Sequence, residues 1–415
     1  MIFNDSIRYI DNTLYCDAVS MPEIVAQTGT PVYIYSLRRT IQNFRRIQSA
    51  FAGLNAHVRY SAKANANLAI LGALVNAGAG IDAVSAGEIH RALLAGAPPD
   101  DIVFAGVGKS PDEIRYALEK GVGWFNVENI LECQHINTIA ESLGRTGVRV
   151  ALRFNPDVVA MTHPNIATGH GGAKFGLPAE MIGELLSQQR SYPNLNFAGI
   201  HLHIGSQLHD TQATQQAVRA ALNLIAPYPN MRVVNIGGGL PVAYRPDEVL
   251  PSFEDFAATL TPLLQGYEVL LEPGRSIIAD AGLLVTSVLY EKRQGKLTFV
   301  IVDGSMTELM RPALYNAHHE IVAVSRRSDT MREVTVVGPV CETTDVLGRD
   351  VPMPYIDSGD LLALLTTGAY GMAMSNNYNQ RPRPPEVVVE EDGQTWRIAR
   401  RRETWDDMVQ AETNL

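Results

Sequence analysis

One lysine, Lys63, stands out by its position in the run Tyr60-Ser-Ala-Lys-Ala-Asn65. A short β-strand is predicted over residues 57–60 and an amphipathic helix over residues 67–77. A lysine at such a turn points toward the carboxyl end of its strand, where large parallel α/β folds usually keep their chemistry. Its amine can form a Schiff base if its pKa falls below the solution value. Taken alone, the turn is more typical of a solvated loop lysine.

Polar and ionisable side chains also follow several other predicted strands, at the point where each strand ends. Because the carboxyl ends of parallel strands open on one face of a barrel, these side chains are expected to converge on a single cleft. Any one of them could instead form a salt bridge or cap a loop, but packing does not explain so many together. The residues that we place at this cleft are Lys63, Asp82, Arg153, His203, Glu272 and Arg275.

Glycines after two of the strands indicate that the cleft binds an anion. A triple glycine follows the predicted seventh strand, and a Gly-Arg pair follows the eighth. Glycine lets backbone N–H groups approach an anion closely, and an arginine supplies a fork-shaped cation. Barrels often bind phosphate with these two loops. The residues assigned to a phosphate or its neighbourhood are Ser206, Gly237, Gly238, Gly239, Gly274 and Arg275.

A lysine, a carboxylate and a phosphate site together suggest pyridoxal phosphate. The aldehyde would sit on Lys63, and the carboxylate of Glu272 would keep the ring nitrogen protonated, so that the ring acts as an electron sink. His203 could lie flat against the ring face. Since this cofactor stabilises a carbanion at the α-carbon of an amino acid, the residues predict decarboxylation or racemisation.

His201 and His203 allow a second interpretation, a metal site. Residues two apart on a strand face the same way, and His-x-His is a known zinc-binding pattern. A barrel metallohydrolase would need further ligands at other strand ends. His57 lies at the wrong end of its strand, and Asp82 alone is too little. The cofactor interpretation is therefore favoured, and no metal is expected.

The order of the predicted elements indicates the fold class. Eight apolar runs alternate with helical patterns over about 220 residues, which is typical of a (β/α)8 barrel. A doubly wound open sheet is the alternative. The predicted strands cover residues 57–60, 80–84, 102–105, 124–127, 148–154, 197–203, 233–236 and 268–271. The predicted helices include residues 86–95, 111–120, 129–143, 211–226 and 252–264.

The pattern changes after residue 281, where short strands follow one another with Gly, Pro and Asp turns between them. Strand-like runs over residues 7–15 and 31–35 precede the barrel, and we assign them to the same β-sandwich or β-barrel-like domain. The expected domains are a barrel over residues 37–280 and a β-rich domain from residues 1–36 and 281–415. The predicted strands of the last part cover residues 283–290, 297–302, 321–324, 333–337, 361–365, 386–389 and 395–398, and residues 376–385 are expected to form an ordered loop or a lid.

Composition excludes several classes of protein. The 415 residues carry a net charge of −10, which argues against nucleic acid as a partner. No apolar run approaches the roughly 20 residues of a membrane span, and the first residues do not resemble a signal peptide. The 3 cysteines are few and far apart, which suggests a reducing compartment, with the cytoplasm as the default.

Several segments resemble a known family, the fold-type III pyridoxal-phosphate-dependent decarboxylases of ornithine, diaminopimelate and arginine. The resemblance covers nearly the whole chain. EPGR at 272–275 and HIGS at 203–206 occur across that family, whereas THPNIATG at 162–169, RPALY at 311–315 and SNNYNQRPRP at 375–384 are more particular. The resemblance implies pyridoxal phosphate as cofactor. It also implies decarboxylation of meso-2,6-diaminopimelate to L-lysine and carbon dioxide.

The resemblance also implies roles for matching residues. Lys63 would be the Schiff-base lysine, His203 would stack on the ring, and Glu272 would pair with the pyridine nitrogen. Cys341 would donate a proton to the α-carbon, and Glu342 would take the distal ammonium of the substrate. In this family Cys341 and Glu342 would reach the site from a second subunit, so a homodimer is expected. The remaining implied roles are Arg275, Arg311 and Tyr315 for the distal carboxylate, and Tyr370 for both cofactor and substrate.

The chemistry of such a substrate agrees with these roles. Arginine matches a carboxylate with paired hydrogen bonds, and glutamate matches an ammonium. A substrate such as ornithine has no distal carboxylate, so the arginines would lose a buried partner. The chain departs from the family pattern at Pro241, soon after the triple glycine, and in VDGSM at 302–306. A decarboxylase of another diamino acid and a non-catalytic cofactor-binding homologue remain the alternatives.

Overall fold

The protein is described here by a computed structural model that covers residues 4–158, 169, 172–328 and 330–413. The chain forms two compact units. One consists of Met1–Gln42, Ala243–Val249 and Ile277–Leu415, and the other of Asn43–Val242 and Leu250–Ser276. Most of the THPNIATG segment lies outside the described residues.

Strands are numbered β1 to β20 along the described residues. They are β1 (Ile7–Ile10), β2 (Thr13–Cys16), β3 (Val19–Ser20), β4 (Val32–Ser36), β5 (Asn55–Ser61), β6 (Gly80–Ala83), β7 (Ile102–Phe104), β8 (Trp124–Val127), β9 (Val148–Arg153), β10 (Leu195–His201), β11 (Val233–Asn235), β12 (Glu268–Leu271), β13 (Gly282–Gln294), β14 (Leu297–Val302), β15 (Ile321–Ala323), β16 (Arg332–Val337), β17 (Val346–Met353), β18 (Leu361–Leu364), β19 (Glu386–Val389) and β20 (Trp396–Arg400).

Helices are numbered α1 to α12 over the same residues. They are α1 (Met21–Thr28), α2 (Leu37–Ala50), α3 (Leu68–Asn76), α4 (Ala86–Leu94), α5 (Pro111–Lys120), α6 (Ile130–Ser142), α7 (Ala179–Ser187), α8 (Gln212–Ile225), α9 (Phe253–Leu264), α10 (Arg275–Ile278), α11 (Arg311–Tyr315) and α12 (Trp405–Thr413).

Strands β5 to β12 close into a parallel barrel. Each pairs with the next along the chain, and β12 returns to β5 with Leu271 opposite Val58. The predicted (β/α)8 barrel is therefore confirmed, and the open doubly wound sheet is wrong. The strands of the barrel are covered on both faces and therefore need buried side chains throughout. This explains why they appear in the sequence as short apolar runs.

Local signals account for the positions of the barrel helices. Ser110 and Glu113 form a capping box at the start of α5, and Ser252 and Asp255 form another at the start of α9. In each box the serine side chain accepts a backbone N–H and the acidic side chain accepts one in return. Gly121, in the left-handed conformation, ends α5. These helices follow the predicted ones to within one or two residues.

The other unit is built on a mixed sheet of nine strands. Its main path runs β17-β16-β14-β13-β4-β19-β20, while β18 pairs with β13 and with β15. The pairs β14–β16 and β4–β19 are parallel, and the remaining pairs are antiparallel. The N-terminal strands β1, β2 and β3 form a separate small sheet. The predicted combination of a barrel with a second, β-rich domain is confirmed.

Three details of this unit differ from the prediction. The run over residues 7–15 is a hairpin, because Asp11 and Asn12 adopt positive φ angles of 45° and 65° and turn the chain. Strand β17 was not predicted, since Gly348, Asp350 and Pro352 weaken its alternating pattern. Helix α12 was not predicted either, and none of its residues is buried.

None of the helices described is both long and apolar enough to span a membrane.

Candidate active site

The carboxyl ends of the barrel strands carry the ionisable residues predicted for the cleft. Lys63 lies in a 3₁₀ turn directly after β5, and its side chain is exposed. Asp82 lies in β6, Glu272 follows β12 directly, and His203 lies two residues after β10. The charge of Lys63 acts on all three of these groups. The barrel therefore brings this set of residues to the same end of the sheet.

Glu272 is a buried carboxylate with several hydrogen-bond donors around it. Asn126 and Asn235 donate from Nδ2 to Oε1 at 2.8 and 2.6 Å, and His201 Nε2 lies 3.0 Å from Oε2. Burial opposes ionisation of Glu272, but the charge and hydrogen bond of His201, the amide of Asn235 and the charge of Lys63 outweigh it. The pKa of Glu272 is therefore lowered. A permanently ionised carboxylate here could hold a protonated ring nitrogen.

Asp82 has the opposite electrostatic behaviour. Burial and the negative charge of Glu272 raise its pKa to about 7, against the charge of Lys63 and a hydrogen bond from Ser61. Ser61 Oγ donates to Oδ2 at 2.6 Å, whereas Oδ1 has no hydrogen-bond partner among the described residues. A buried polar atom without a partner is costly. Asp82 therefore offers a free acceptor, or when protonated a donor, to a bound group.

His203 is a neutral imidazole in this environment. Burial, followed by the charges of Lys63 and Arg153, lowers its pKa well below the ordinary value. Its Nδ1 accepts a hydrogen bond from the backbone N–H of Gly238 at 3.2 Å, so its proton lies on Nε2. Arg153 itself pairs with the buried carboxylate of Glu128 at 2.7 Å. A neutral, oriented ring of this kind can lie against a flat apolar or aromatic group.

The triple glycine allows the backbones of neighbouring loops to touch. A Cβ on Gly237 would lie 2.3 Å from the carbonyl oxygen of Leu202, and one on Gly239 would lie 2.7 Å from that of Gly205. Gly237 and Gly239 also have positive φ angles of 68° and 105°, which favour glycine. No larger residue fits here without displacing backbone. This is the close backbone packing expected of an anion-binding loop.

Two side chains complete this part of the barrel. Arg275 donates from Nε and from one terminal nitrogen to Ser206 Oγ, each at 3.3 Å. A Cβ on Gly274 would lie 2.9 Å from the Cβ of Ser61, which is at the end of β5. A hydroxyl, a guanidinium and glycine amides suit a phosphate. Together with Glu272 and the free Asp82 oxygen, the donor set of the barrel fits pyridoxal phosphate.

The sheet unit holds the residues predicted for the substrate's distal carboxylate. Arg311 begins α11 and is buried, and one of its terminal nitrogens donates to His319 Nε2 at 2.8 Å. Its guanidinium lies 4.6 Å from the centre of the Tyr244 ring. His319 in turn contacts the carbonyl of Leu365 through Nδ1 at 2.9 Å. Tyr315, one turn after Arg311, ends the same helix.

Cys341 and Glu342 lie together on an exposed turn of the sheet unit. The thiol of Cys341 donates to Asn379 Oδ1 at 3.5 Å, and the hydroxyl of Tyr378 donates to Glu342 Oε1. Tyr370, also in this unit, has a positive φ of 57°. The predicted loop over residues 376–385 therefore contacts both exposed residues through its side chains.

Sequence reasoning missed the residues that surround Glu272. Asn126 and Asn235 are single polar residues inside apolar strands, which is a usable signal, but neither was assigned to the site. His201 was considered only as a metal ligand, whereas it pairs with Glu272. In the part of the chain that the structure describes, no group of three or more His, Cys, Asp or Glu side chains is arranged to hold a metal ion.

A closed parallel barrel with these strand-end residues defines a class of cofactor-dependent enzyme, and comparison with known proteins identifies it. Residues 37–279 match the family model of the pyridoxal-dependent decarboxylases, over their pyridoxal-binding domain. The chain belongs to the pyridoxal-dependent decarboxylases, and its cofactor is pyridoxal 5′-phosphate.

Relatives named diaminopimelate decarboxylase match almost the whole chain. The one from Aquifex aeolicus is 38% identical over 100% of this chain and 99% of its own length. The one from Neisseria meningitidis serogroup B is 41% identical over 96% of this chain and 97% of its own length. The crystal structure of the Helicobacter pylori enzyme complexed with L-lysine is 39% identical. It has a TM-score of 0.89 and covers 95% of this chain and 99% of that chain.

Proposed function

We propose that this chain removes carbon dioxide from meso-2,6-diaminopimelate and leaves L-lysine, the last step of lysine biosynthesis. The observation that carries the proposal is the full-length similarity, at about 40% identity, to proteins named for this reaction. A solved relative binds L-lysine, which would be the product here. The barrel supplies the cofactor residues, and the sheet unit supplies arginine, tyrosine, glutamate and cysteine side chains of the types that the substrate requires.

Bound pyridoxal phosphate supplies a carbonyl carbon for an amine and a ring that accepts the electron pair released when a carboxylate leaves as carbon dioxide. Lys63 provides that amine. Glu272 would hold a proton at the ring nitrogen, because its own lowered pKa keeps it ionised. His203, neutral and hydrogen-bonded to Gly238, would pack against the ring. Ser206 and the loops that contain Gly237, Gly238, Gly239, Gly274 and Arg275 would bind the phosphate, and Asp82 would donate or accept a hydrogen bond nearby.

The substrate carries an ammonium and a carboxylate at its distal end. In the proposal, Arg275, Arg311 and Tyr315 hold the distal carboxylate, with Tyr370 beside both substrate and cofactor. Glu342 receives the distal ammonium. The buried contact with His319 and the ring of Tyr244 hold the guanidinium of Arg311 in one orientation. Fixing an arginine in advance lowers the entropic cost of binding a carboxylate.

Cys341 completes the reaction by moving a proton. After carbon dioxide leaves, the α-carbon needs a proton, and a thiol can deliver one from a side chain that remains nearby. The Sγ–H of Cys341 donates to Asn379 Oδ1, and this contact orients the thiol. The same residue then needs to regain a proton from solvent, and Cys341 is exposed.

We also propose a homodimer in which the partner subunit's Cys341 and the partner subunit's Glu342 complete each site. Their exposure in the described protomer supports this arrangement. A cytoplasmic location is proposed as well, and the free state of Cys16, Cys133 and Cys341 supports it. The family match over residues 37–279 supports the proposed barrel domain at 37–280.

A substrate panel tests the proposed reaction. The purified protein, loaded with pyridoxal phosphate, is assayed for release of carbon dioxide from meso-2,6-diaminopimelate, ornithine, lysine and arginine. Turnover of diaminopimelate alone is the expected result. Faster turnover of another diamino acid would replace the substrate. A protein that shows the visible absorption of the bound cofactor, trapped by borohydride, but turns over none of the four would be a binding homologue.

A further inference from the structure

We propose that Tyr378 is a positioning residue for substrate selection: its hydroxyl holds the Glu342 carboxylate in the orientation that receives the distal ammonium of the substrate. The inference rests on the proposed function, which assigns that ammonium to Glu342. Nothing in the sequence links the two residues, which lie 36 positions apart.

Both oxygens of the Glu342 carboxylate have a hydrogen-bond donor. Tyr378 donates to Oε1, and Thr344 Oγ1 donates to Oε2 at 3.2 Å. The Glu342 side chain is exposed and has three rotatable bonds, so without these contacts it would sample many rotamers. The two donors confine the carboxylate while leaving acceptor sites on each oxygen for an ammonium. Glu342 is thereby prepared for binding before the substrate arrives.

The phenol of Tyr378 remains a donor across the neutral pH range. Its hydrogen bond to Glu342, together with the charge of that carboxylate, raises its pKa. The donated proton therefore stays on the phenol while Glu342 is ionised. A phenylalanine at position 378 would keep the ring and lose only this contact, which makes the substitution a clean test.

The turn that carries Tyr378 is held by one hydrogen bond to a distant segment and by another within the turn. The backbone N–H of Asn376 donates to the carbonyl of Thr307 at 3.0 Å, and the N–H of Tyr378 donates to Asn376 Oδ1 at 3.0 Å. The next two residues, Asn379 and Gln380, have positive φ angles of 55° and 56°. Such conformations persist only where the surroundings hold them, and they are frequent at functional sites.

The same turn contacts the proposed proton donor. Asn379, the neighbour of Tyr378, accepts the hydrogen bond from the Cys341 thiol. One short turn therefore positions both Glu342, which binds the distal ammonium of the substrate, and Cys341, which protonates its α-carbon. This arrangement couples selection of the substrate to placement of the acid.

A double-mutant cycle tests the role of Tyr378. The kcat/KM for meso-2,6-diaminopimelate is measured for the wild type, Tyr378→Phe, Glu342→Ala and the double variant. A hydrogen bond to a charged, partly solvated group corresponds to roughly a tenfold effect, so Tyr378→Phe is expected to lower kcat/KM by about that factor, mostly through KM. In the Glu342→Ala background the same substitution is expected to have almost no effect.

Two comparisons show whether the effect is specific. With 2-aminoheptanedioate, which keeps both carboxylates and lacks the distal amine, Tyr378→Phe is expected to leave the low kcat/KM unchanged. Tyr290→Phe, at a tyrosine exposed elsewhere in the sheet unit, is the matched control and should behave as wild type. Equal losses from Tyr378→Phe in both backgrounds, or on both substrates, would overturn the positioning role.

A second measurement does not depend on turnover. In the holoenzyme with ¹³C-labelled tyrosine, the resonance that is missing from Tyr378→Phe reports the titration of this phenol. It is expected to titrate at a higher pH in the wild type than in Glu342→Ala. The same midpoint in both would show that the contact does not exist and would overturn the inference. A wild type that releases no carbon dioxide from diaminopimelate would contradict the proposed function instead, and the titration would still decide the contact.

Discussion

His201 and Glu272 form a buried pair at the ends of two barrel strands, with Nε2 and Oε2 3.0 Å apart. The strand that ends at His201 and the strand before Glu272 are separated by β11, whose Asn235 contacts the same carboxylate. Asn126, near the end of β8, also donates to this carboxylate, so three barrel strands each direct one polar side chain at Glu272. This relationship explains how a fully buried glutamate remains ionised, since each partner favours the charged form.

The first prediction concerns Lys63. Replacing it with alanine removes the amine that the cofactor carbonyl requires, so Lys63→Ala should abolish both borohydride trapping and decarboxylation. The absorption spectrum and the release of carbon dioxide measure the two effects. Lys296→Ala, at an exposed lysine in the turn between β13 and β14, is the control and should keep both. Normal decarboxylation by Lys63→Ala would show that another amine is used.

The second prediction concerns the charge of Glu272. Glu272→Gln keeps the shape of the side chain but cannot hold a proton at the ring nitrogen, so kcat should fall roughly a hundredfold or more. Substituting His201 with asparagine should cause a smaller loss, because Asn126 and Asn235 still donate to the carboxylate. Steady-state kinetics on diaminopimelate measure both. A Glu272→Gln enzyme with wild-type kcat would remove the carboxylate from its proposed role.

The third prediction concerns the pH dependence of stability at Asp82. Its folded pKa of about 7 lies above the ordinary value of about 3.9 for aspartate. The folded state therefore binds a proton that the unfolded state releases, and stability is lost as pH rises through this window toward 7. Asp82→Asn removes the ionisable group. In the cofactor-free protein it should raise the melting temperature more at pH 8 than at pH 5.

Thermal unfolding of wild type and Asp82→Asn at the two pH values checks this sign. Asp392→Asn serves as the control, because the hydrogen bonds of Gln394 and Thr395 lower the pKa of that exposed aspartate rather than raise it. A difference in melting temperature between Asp82→Asn and wild type that does not change from pH 5 to pH 8 would contradict the raised pKa.

The fourth prediction concerns Glu403, whose carboxylate is hydrogen-bonded to the loop over residues 376–385. Its carboxylate accepts hydrogen bonds from Arg383 Nε at 2.7 Å and Asn377 Nδ2 at 2.8 Å. Glu403→Gln should therefore increase hydrogen exchange of backbone amides in this loop, as measured by mass spectrometry. Because Tyr378 lies in the loop, diaminopimelate turnover should also fall.

A matched substitution separates this effect from general loss of charge. Glu390→Gln removes a carboxylate from a more exposed ion pair with Arg397, where little stabilisation is expected. That variant should leave the exchange of residues 376–385 unchanged. Equal exchange in Glu403→Gln and wild type would show that the loop does not depend on this carboxylate.

Much of the barrel could be predicted from the sequence alone, because its signals are local. Apolar runs such as those at 124–127 and 268–271 are strands in the structure at the same positions, since a strand buried on both faces needs apolar residues throughout. Capping residues such as Ser110 and Ser252 also indicated where helices begin, because a capping box involves residues only three positions apart. Once parallel strands are assumed, the residue after each strand is placed at a common end, which is how Lys63, Glu272 and their neighbours were assigned to one cleft.

Tertiary structure alone decided which of these side chains meet. In the sequence, Asn126 and Asn235 are only single polar residues inside apolar strands, and the folded barrel is what brings both to the Glu272 carboxylate. The contact of Tyr378 with Glu342, 36 positions apart in the chain, likewise depends on distant segments packing in one sheet unit. Hydrogen bonds and electrostatic shifts act over a few ångströms in space. The amino-acid order specifies which groups are available, and only the folded chain specifies the distances between them.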